Sequence, residues 1–120
     1  MNNSFIEELN NKVQNMPWPV IMPTDFKELL NTNHNMAIID VREADSCCFS
    51  NDNISNEHIY NIPFNSIVQE FSKYDFSSYE SIILICFAGP KGAVAASILN
   101  WMGINNAYFL KGGIEEFSNL

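Results

Sequence analysis

The sequence predicts an α/β protein with a mainly parallel sheet, and three observations carry that prediction. Ser81–Ile85 reads Ser-Ile-Ile-Leu-Ile, an apolar run without polar alternation, which implies a strand buried on both faces. Short apolar strands alternate with helical patterns along the chain, the arrangement of crossover units. At 120 residues, with 47% hydrophobic and 17% charged residues, the chain has material for one globular core.

Phe5, Ile6, Leu9, Val13 and Met16 are spaced for one face of a helix over residues 4–16. The division is an amphipathic N-terminal helix, residues 1–18, packed on a domain spanning 19–120. A partner-binding or dimerising helix is the alternative. Pro17 and Pro19 end it, and Val20–Met22 suits a short strand. Pro23 and Thr24 start a second helix with Phe26, Leu29 and Leu30 inward. Ala37–Asp40 reads as a buried strand ending in a carboxylate. Ser46 to Glu57 is a polar loop, His58–Ile62 a strand closed by Pro63, and Phe64–Phe71 a helix with Ile67 and Phe71 inward. After Ser81–Ile85, Ala93–Met102 reads as a helix rich in small residues, stopped by Gly103. Ala107–Leu110 is the last strand, and Gly112-Gly113 leads into a terminal helix containing Ile114 and Phe117.

Fourteen Asp and Glu against six Lys and Arg leave a net charge of −8, with Arg42 the one arginine. Such a surface repels phosphate backbones, so neither nucleic acid nor an acidic membrane is an expected partner. The start MNNSFIEELNNK has no basic, apolar leader pattern, and the longest apolar run is too short to span a bilayer. Three cysteines, two of them adjacent (Cys47, Cys48), make no disulfide framework, and a reduced, cytoplasmic setting is expected. His34 and His58 stand apart, no CxxC occurs, and neither a GxGxxG nor a P-loop is present. No metal or other cofactor is expected.

Ligand sites in parallel α/β folds lie beyond the carboxyl ends of strands. Asp40 and Cys86 both fall at such ends. After Cys86 come Phe87, Ala88, Gly89, Pro90, Lys91 and Gly92. Gly89 suits a helix N-cap and Pro90 the first helical position, so free amides converge near the sulfur. Such a turn holds an anion and favours a thiolate nucleophile without a histidine base. Lys91 in the first turn opposes the helix dipole, which makes sense if it faces a thiolate or a bound anion. On local pattern alone two readings stand for each residue. Cys86 is a nucleophile or one more buried apolar side chain, and Lys91 faces an anion or points into solvent.

Four segments, in order, resemble the single-domain rhodaneses of the sulfurtransferase superfamily. IIDVRE (38–43) is similar to the family's Asp-Val-Arg-Glu segment, and HIYNIPF (58–64) to its Asn-Ile-Pro stretch. SIILICFAGPKGAVAASILNWMG resembles its active-site strand, Cys-x-x-Gly-x-Arg loop and helix, and YFLKGGIEEF (108–117) its closing Leu-x-Gly-Gly segment. The resemblance runs from about Val20 to the C-terminus. It implies a three-layer sandwich, with a central, mostly parallel five-stranded sheet flanked by helices. It also implies transfer of a sulfane sulfur through a Cys86 persulfide. A donor such as thiosulfate or a persulfide would supply the sulfur; cyanide, a small thiol or a protein thiol would accept it. The backbone of Phe87, Ala88, Gly89, Lys91 and Gly92 would hold persulfide and donor, with Asp40 and Arg42 structural at the site edge. The expected state is a monomer or weak dimer.

Three departures bear on the donor more than on the persulfide. Lys91 replaces the family's arginine and loses its bidentate fork. Gly92 replaces a Ser or Thr, and residues 52–58, DNISNEH, replace a Gly-His-Ile-x-Gly-Ala signature. Two alternatives remain: a non-catalytic rhodanese-like binding or regulatory module, and a cysteine phosphatase or arsenate reductase. The latter needs one more loop residue and an arginine where Gly92 stands. Cys47 or Cys48, if it lies near Cys86, could resolve a persulfide or sulfenate. Adjacent cysteines seldom bond each other, and loop packing is the simpler role.

Overall fold

The computed structural model describes residues 3–15, 18–49, 52, 54 and 56–120. Met16, Pro17 and parts of the polar tract read above lie outside them. Five strands form one sheet in the order β1-β5-β4-β2-β3: β1 (Val20–Ile21), β2 (Met36–Asp40), β3 (Ile59–Asn61), β4 (Ser81–Ile85) and β5 (Ala107–Leu110). Every pairing is parallel, so the sheet is wholly rather than mostly parallel. Parallel strands need crossovers, and the helices that make them cover both faces.

The unbroken apolar strands follow from that. In β4, Ile82 and Leu84 face one cluster and Ile83 and Ile85 the other; in β2, Ala37 and Ile39 oppose Met36 and Ile38. Helices α3 (Ile67–Phe71) and α4 (Pro90–Trp101) cover the first face through Ile67, Phe71, Ala95, Ala96 and Leu99. Helices α2 (Pro23–Asn31) and α5 (Gly113–Phe117) cover the second through Phe26 and Ile114. Alanines at the α4 contact let that helix lie close to the sheet. The expected helix over Phe64–Phe71 divides into a 3-10 turn, Phe64–Ser66, and α3.

Helix α1 (Asn3–Asn15) forms, but none of its residues is buried. Phe5, Ile6, Leu9 and Val13 remain between 38% and 55% exposed. The Lys12 ammonium donates to the Trp101 carbonyl at 3.4 Å, and Val13 shares a shallow apolar groove with Trp18, Val94 and Trp101. The apolar stripe has helical spacing, yet the body offers it a narrow counterpart. No helix among the described residues is long and apolar enough to cross a membrane.

Candidate functional site

Strand β4 has β2 on one side and β5 on the other, so its carboxyl end opens at the middle of the sheet edge. Cys86 is the next residue. Its side chain is 5% exposed and lies at the base of a cleft of about 450 Å³ lined by Arg42, Glu43, Ser46, Phe87, Ala88, Pro90 and Lys91.

The loop beyond Cys86 turns back at Gly89, which takes a φ of +113° and caps α4, with Pro90 opening the helix. That turn aims two amides at the sulfur: Gly89 N–H donates to Cys86 Sγ at 3.0 Å and Gly92 N–H at 3.3 Å. Two donors on one sulfur suit a thiolate or persulfide anion, and the helix N-terminus adds its positive end. Gly92 lies close to the strand it follows, where a Cβ would meet the Leu84 carbonyl oxygen at 3.0 Å. The amides of Phe87, Ala88 and Lys91 have no acceptor in the chain among the described residues. They are free for a ligand, whereas Pro90 has no N–H to offer. Phe87, Ala88 and Lys91 are exposed on the cleft wall.

A second glycine pair holds this loop from below. Gly89 packs against Gly112, where an added Cβ would stand 3.2 Å from the Gly112 nitrogen. Gly113, at φ +61°, lies so close to the carbonyl oxygens of Cys86 and Phe87 that no side chain fits. The next two amides complete the grip: Ile114 N–H donates to the Cys86 carbonyl at 3.1 Å and Glu115 N–H to that of Phe87 at 2.8 Å. The Gly-Gly segment therefore braces the cysteine loop, a role that reading the two glycines as a helix start had missed.

Asp40, fully buried, ends β2 beside Ile85. Arg42 donates to it through Nε at 3.0 Å and Nη2 at 3.0 Å, and to Asp52 through Nη2 at 2.9 Å. Burial alone would lower the Arg42 pKa, but hydrogen bonds to Asp40 and Asp52 and their charges outweigh it and raise it. The guanidinium also lies 5.4 Å from the centre of the Phe49 ring. Asn61 donates to the carbonyls of Asp40 and Arg42, both at 2.9 Å, fixing the start of the loop. Asn61 and Asp52 had not been singled out, nor had Glu43 and Ser46, which line the cleft. A sole arginine beside an acidic tract was the available signal for Asp52.

With Arg42 tied to two carboxylates, Lys91 is the cleft's uncommitted cation among the described residues. The histidines lie elsewhere. His34 Nε2 hydrogen-bonds Ser81 Oγ at 3.1 Å, at the opposite end of β4 from Cys86, a strand length of roughly 16 Å away. His58 immediately precedes β3, also at the amino end of the sheet.

The sulfurs of Cys47 and Cys48 lie in contact with each other. Both are half-buried, and their sulfurs and a carboxylate oxygen of Asp40 lie within 4.8 Å of one another. The cluster has three donor groups of two types, but the Asp40 carboxylate is taken up by Arg42 and the two sulfurs lie against each other. A metal there would have to break a buried ion pair.

A parallel α/β sandwich with a cysteine seated among helix N-terminal amides at a strand end defines a class of cysteine-loop domains. Within that class the chain belongs to the rhodanese-like domain family, whose model matches residues 22–120. None of the curated proteins compared matches it by sequence. Among solved structures it is similar to a rhodanese-related protein from Thermoplasma volcanium, at 22% identity and TM-score 0.65, over 85% of this chain and 92% of that one. A human single-domain sulfurtransferase matches at 17% identity and TM-score 0.59, over 79% and 90%. A Rhodopseudomonas palustris protein described as a possible tyrosine phosphatase matches at 16% and TM-score 0.67, over 99% and 92%. At these identities the neighbours speak for the fold, and the chemistry rests on the site.

Proposed function

We propose that the protein is a sulfurtransferase that carries a sulfane sulfur on Cys86. The Cys86 thiolate attacks the outer sulfur of a donor, thiosulfate or a persulfide. The S–S bond of the donor breaks, sulfite or a thiol leaves with the electron pair, and a Cys86 persulfide remains. Cyanide, a small thiol or a protein thiol then attacks the outer sulfur and releases Cys86. The observation that carries this reading is the sulfur accepting the Gly89 and Gly92 amides at the base of a cleft. Backbone dipoles fixed in advance stabilise a negative sulfur before and after transfer. The unpaired amides of Phe87, Ala88 and Lys91 and the Lys91 ammonium would meet the anionic part of the donor. A reducing compartment such as the cytoplasm would keep Cys86 a thiol.

The same loop speaks against phosphate chemistry. An arginine six positions after the cysteine would clamp two oxygens of a tetrahedral anion, but Gly92 stands there.

The test is incubation of the reduced protein with thiosulfate or a small-molecule persulfide, followed by mass analysis of the Cys86 peptide. A gain of one sulfur is expected, abolished in Cys86→Ser and retained in Cys47→Ser and Cys48→Ser. No gain from any of these donors would leave the binding-module reading in its place.

A further inference from the structure

We propose that Glu43 and Lys91 make the cleft over Cys86 selective for a small zwitterion, an α-amino acid bearing a thiol or persulfide, as the molecule that exchanges sulfur with Cys86. The inference rests on the persulfide reading above and names the substrate class of that site.

The charges of the lining carry it. Strands β2 and β4 end side by side, with Asp40 opposite Ile85. The chain leaving β2 therefore forms one wall of the cleft, and the cysteine loop with the start of α4 forms the other. Glu43 belongs to the first wall and Lys91 to the second. Arg42, the remaining charged group of the lining, is held by Asp40 and Asp52. Glu43 is fixed through its backbone, its carbonyl accepting the Ser46 and Cys47 amides at 2.9 and 3.0 Å. Its carboxylate makes no hydrogen bond or ion pair among the described residues, and neither does the Lys91 ammonium. Opposite charges that line one cleft without pairing fit a ligand that carries both signs.

The rest of the lining agrees. Phe87, Ala88 and Pro90 offer apolar surface to a short carbon stem, and the unpaired amides of Phe87, Ala88 and Lys91 add donors for a carboxylate. The cleft volume of about 450 Å³ is in the range of sites for small organic molecules, and thiosulfate would leave most of it unfilled. Thiosulfate also brings only negative charge, which Lys91 attracts and Glu43 repels.

The step balances. The thiolate of the amino acid attacks the outer sulfur of the Cys86 persulfide. The S–S bond to Cys86 breaks, Cys86 leaves as a thiolate with the electron pair, and the sulfur departs as the persulfide of the amino acid. No oxidant or reductant is consumed, and the reverse step loads Cys86 from the same molecule.

The experiment compares acceptors. Protein loaded on Cys86 with thiosulfate and freed of excess donor is mixed with cysteine, N-acetylcysteine or cysteamine. Loss of the extra sulfur from the Cys86 peptide is followed by mass. Dividing the rate of each thiol with a variant by its rate with the wild type cancels the intrinsic reactivity of that thiol. Glu43→Gln should slow cysteine and cysteamine about 5-fold more than N-acetylcysteine, which lacks the ammonium. The same variant should load from thiosulfate faster than the wild type at low salt, because a repelling carboxylate is gone. Lys91→Gln should slow cysteine about 5-fold more than cysteamine, which lacks the carboxylate. Loading reports that each variant is folded, and a merely structural Glu43 would not move the two kinds of partner in opposite directions. Equal slowing of all three thiols by Glu43→Gln, or no slowing of any, overturns the proposal and leaves sulfur transfer standing. A wild type that never loads sulfur on Cys86 brings down the persulfide reading itself, and this proposal with it.

Discussion

Replacing Gly113 with alanine should damage stability and chemistry together. The position has a φ of +61°, where an L-residue costs ~1–2 kcal/mol. The new Cβ would also fall against the carbonyl oxygens of Cys86 and Phe87, which are backbone atoms and cannot swing aside. To relieve the clash α5 must withdraw, which breaks or stretches the bonds from Ile114 and Glu115 to those carbonyls. Each is a net ~0.5–1.5 kcal/mol, so the total comes to ~2–5 kcal/mol. For a chain of this length that is a drop of roughly 8–20 °C in Tm. Urea unfolding of Gly113→Ala and wild type gives the stability. Sulfur loading of Cys86, measured well below both midpoints, gives the chemistry, and a fall of at least tenfold is expected. Gly103→Ala is the comparison: its φ is also positive at +98°, but nothing lies within 4 Å of an added Cβ. It should lose stability and load sulfur at the normal rate. The bracing argument fails if Gly113→Ala stays within ~0.5 kcal/mol of wild type, or if it loads sulfur as fast.

Three other expectations can be checked alongside. Arg42→Met leaves the buried Asp40 carboxylate without its cation and should cost ~3–5 kcal/mol in urea unfolding. Adding Asp40→Asn should recover part of that loss, and no recovery would mean the pair is not the cause. Lys91→Ala should raise KM about 5-fold for an anionic donor at low salt, with the gap closing as salt is added, and leave persulfide lifetime unchanged. A shortened lifetime would contradict the role assigned to that ammonium. Tyr79, whose hydroxyl hydrogen-bonds Tyr60 at 2.7 Å and His58 Nδ1 at 3.0 Å, has its pKa pushed up to about 12 by partial burial and then by Tyr60. A raised folded value means that its contribution is whole below the unfolded value of about 10 and is lost as pH rises through about 12. Tyr79→Phe should flatten the urea midpoint against pH across that window, and an unchanged slope would refute the assignment.

Periodicity and punctuation made much of the sheet legible. Ser81–Ile85 and Ala107–Leu110 run between the residues their patterns mark, because burial on both faces leaves no ambiguity in an apolar run. Gly89-Pro90 likewise announces the start of α4 next to the cysteine, so the anion-holding turn was readable from local rules. The rest depends on partners distant in sequence. The stripe of α1 says which face is apolar but not how much of it finds cover. Nothing local shows that Asn61 holds the carbonyls of Asp40 and Arg42, or that Gly113 needs its missing side chain because of Cys86.

The bracing of the cysteine loop by Gly112 and Gly113 also sets when reactivity can arise. During synthesis, the turn after Cys86 leaves the ribosome before β5 and α5 exist. Until those last segments dock, the loop lacks the two amides that grip its carbonyls, and β1 lacks β5, its neighbour in the sheet. A half-made chain thus carries the thiol on an unbraced turn, and the proposed sulfur transfer would start only once β5 and α5 have docked.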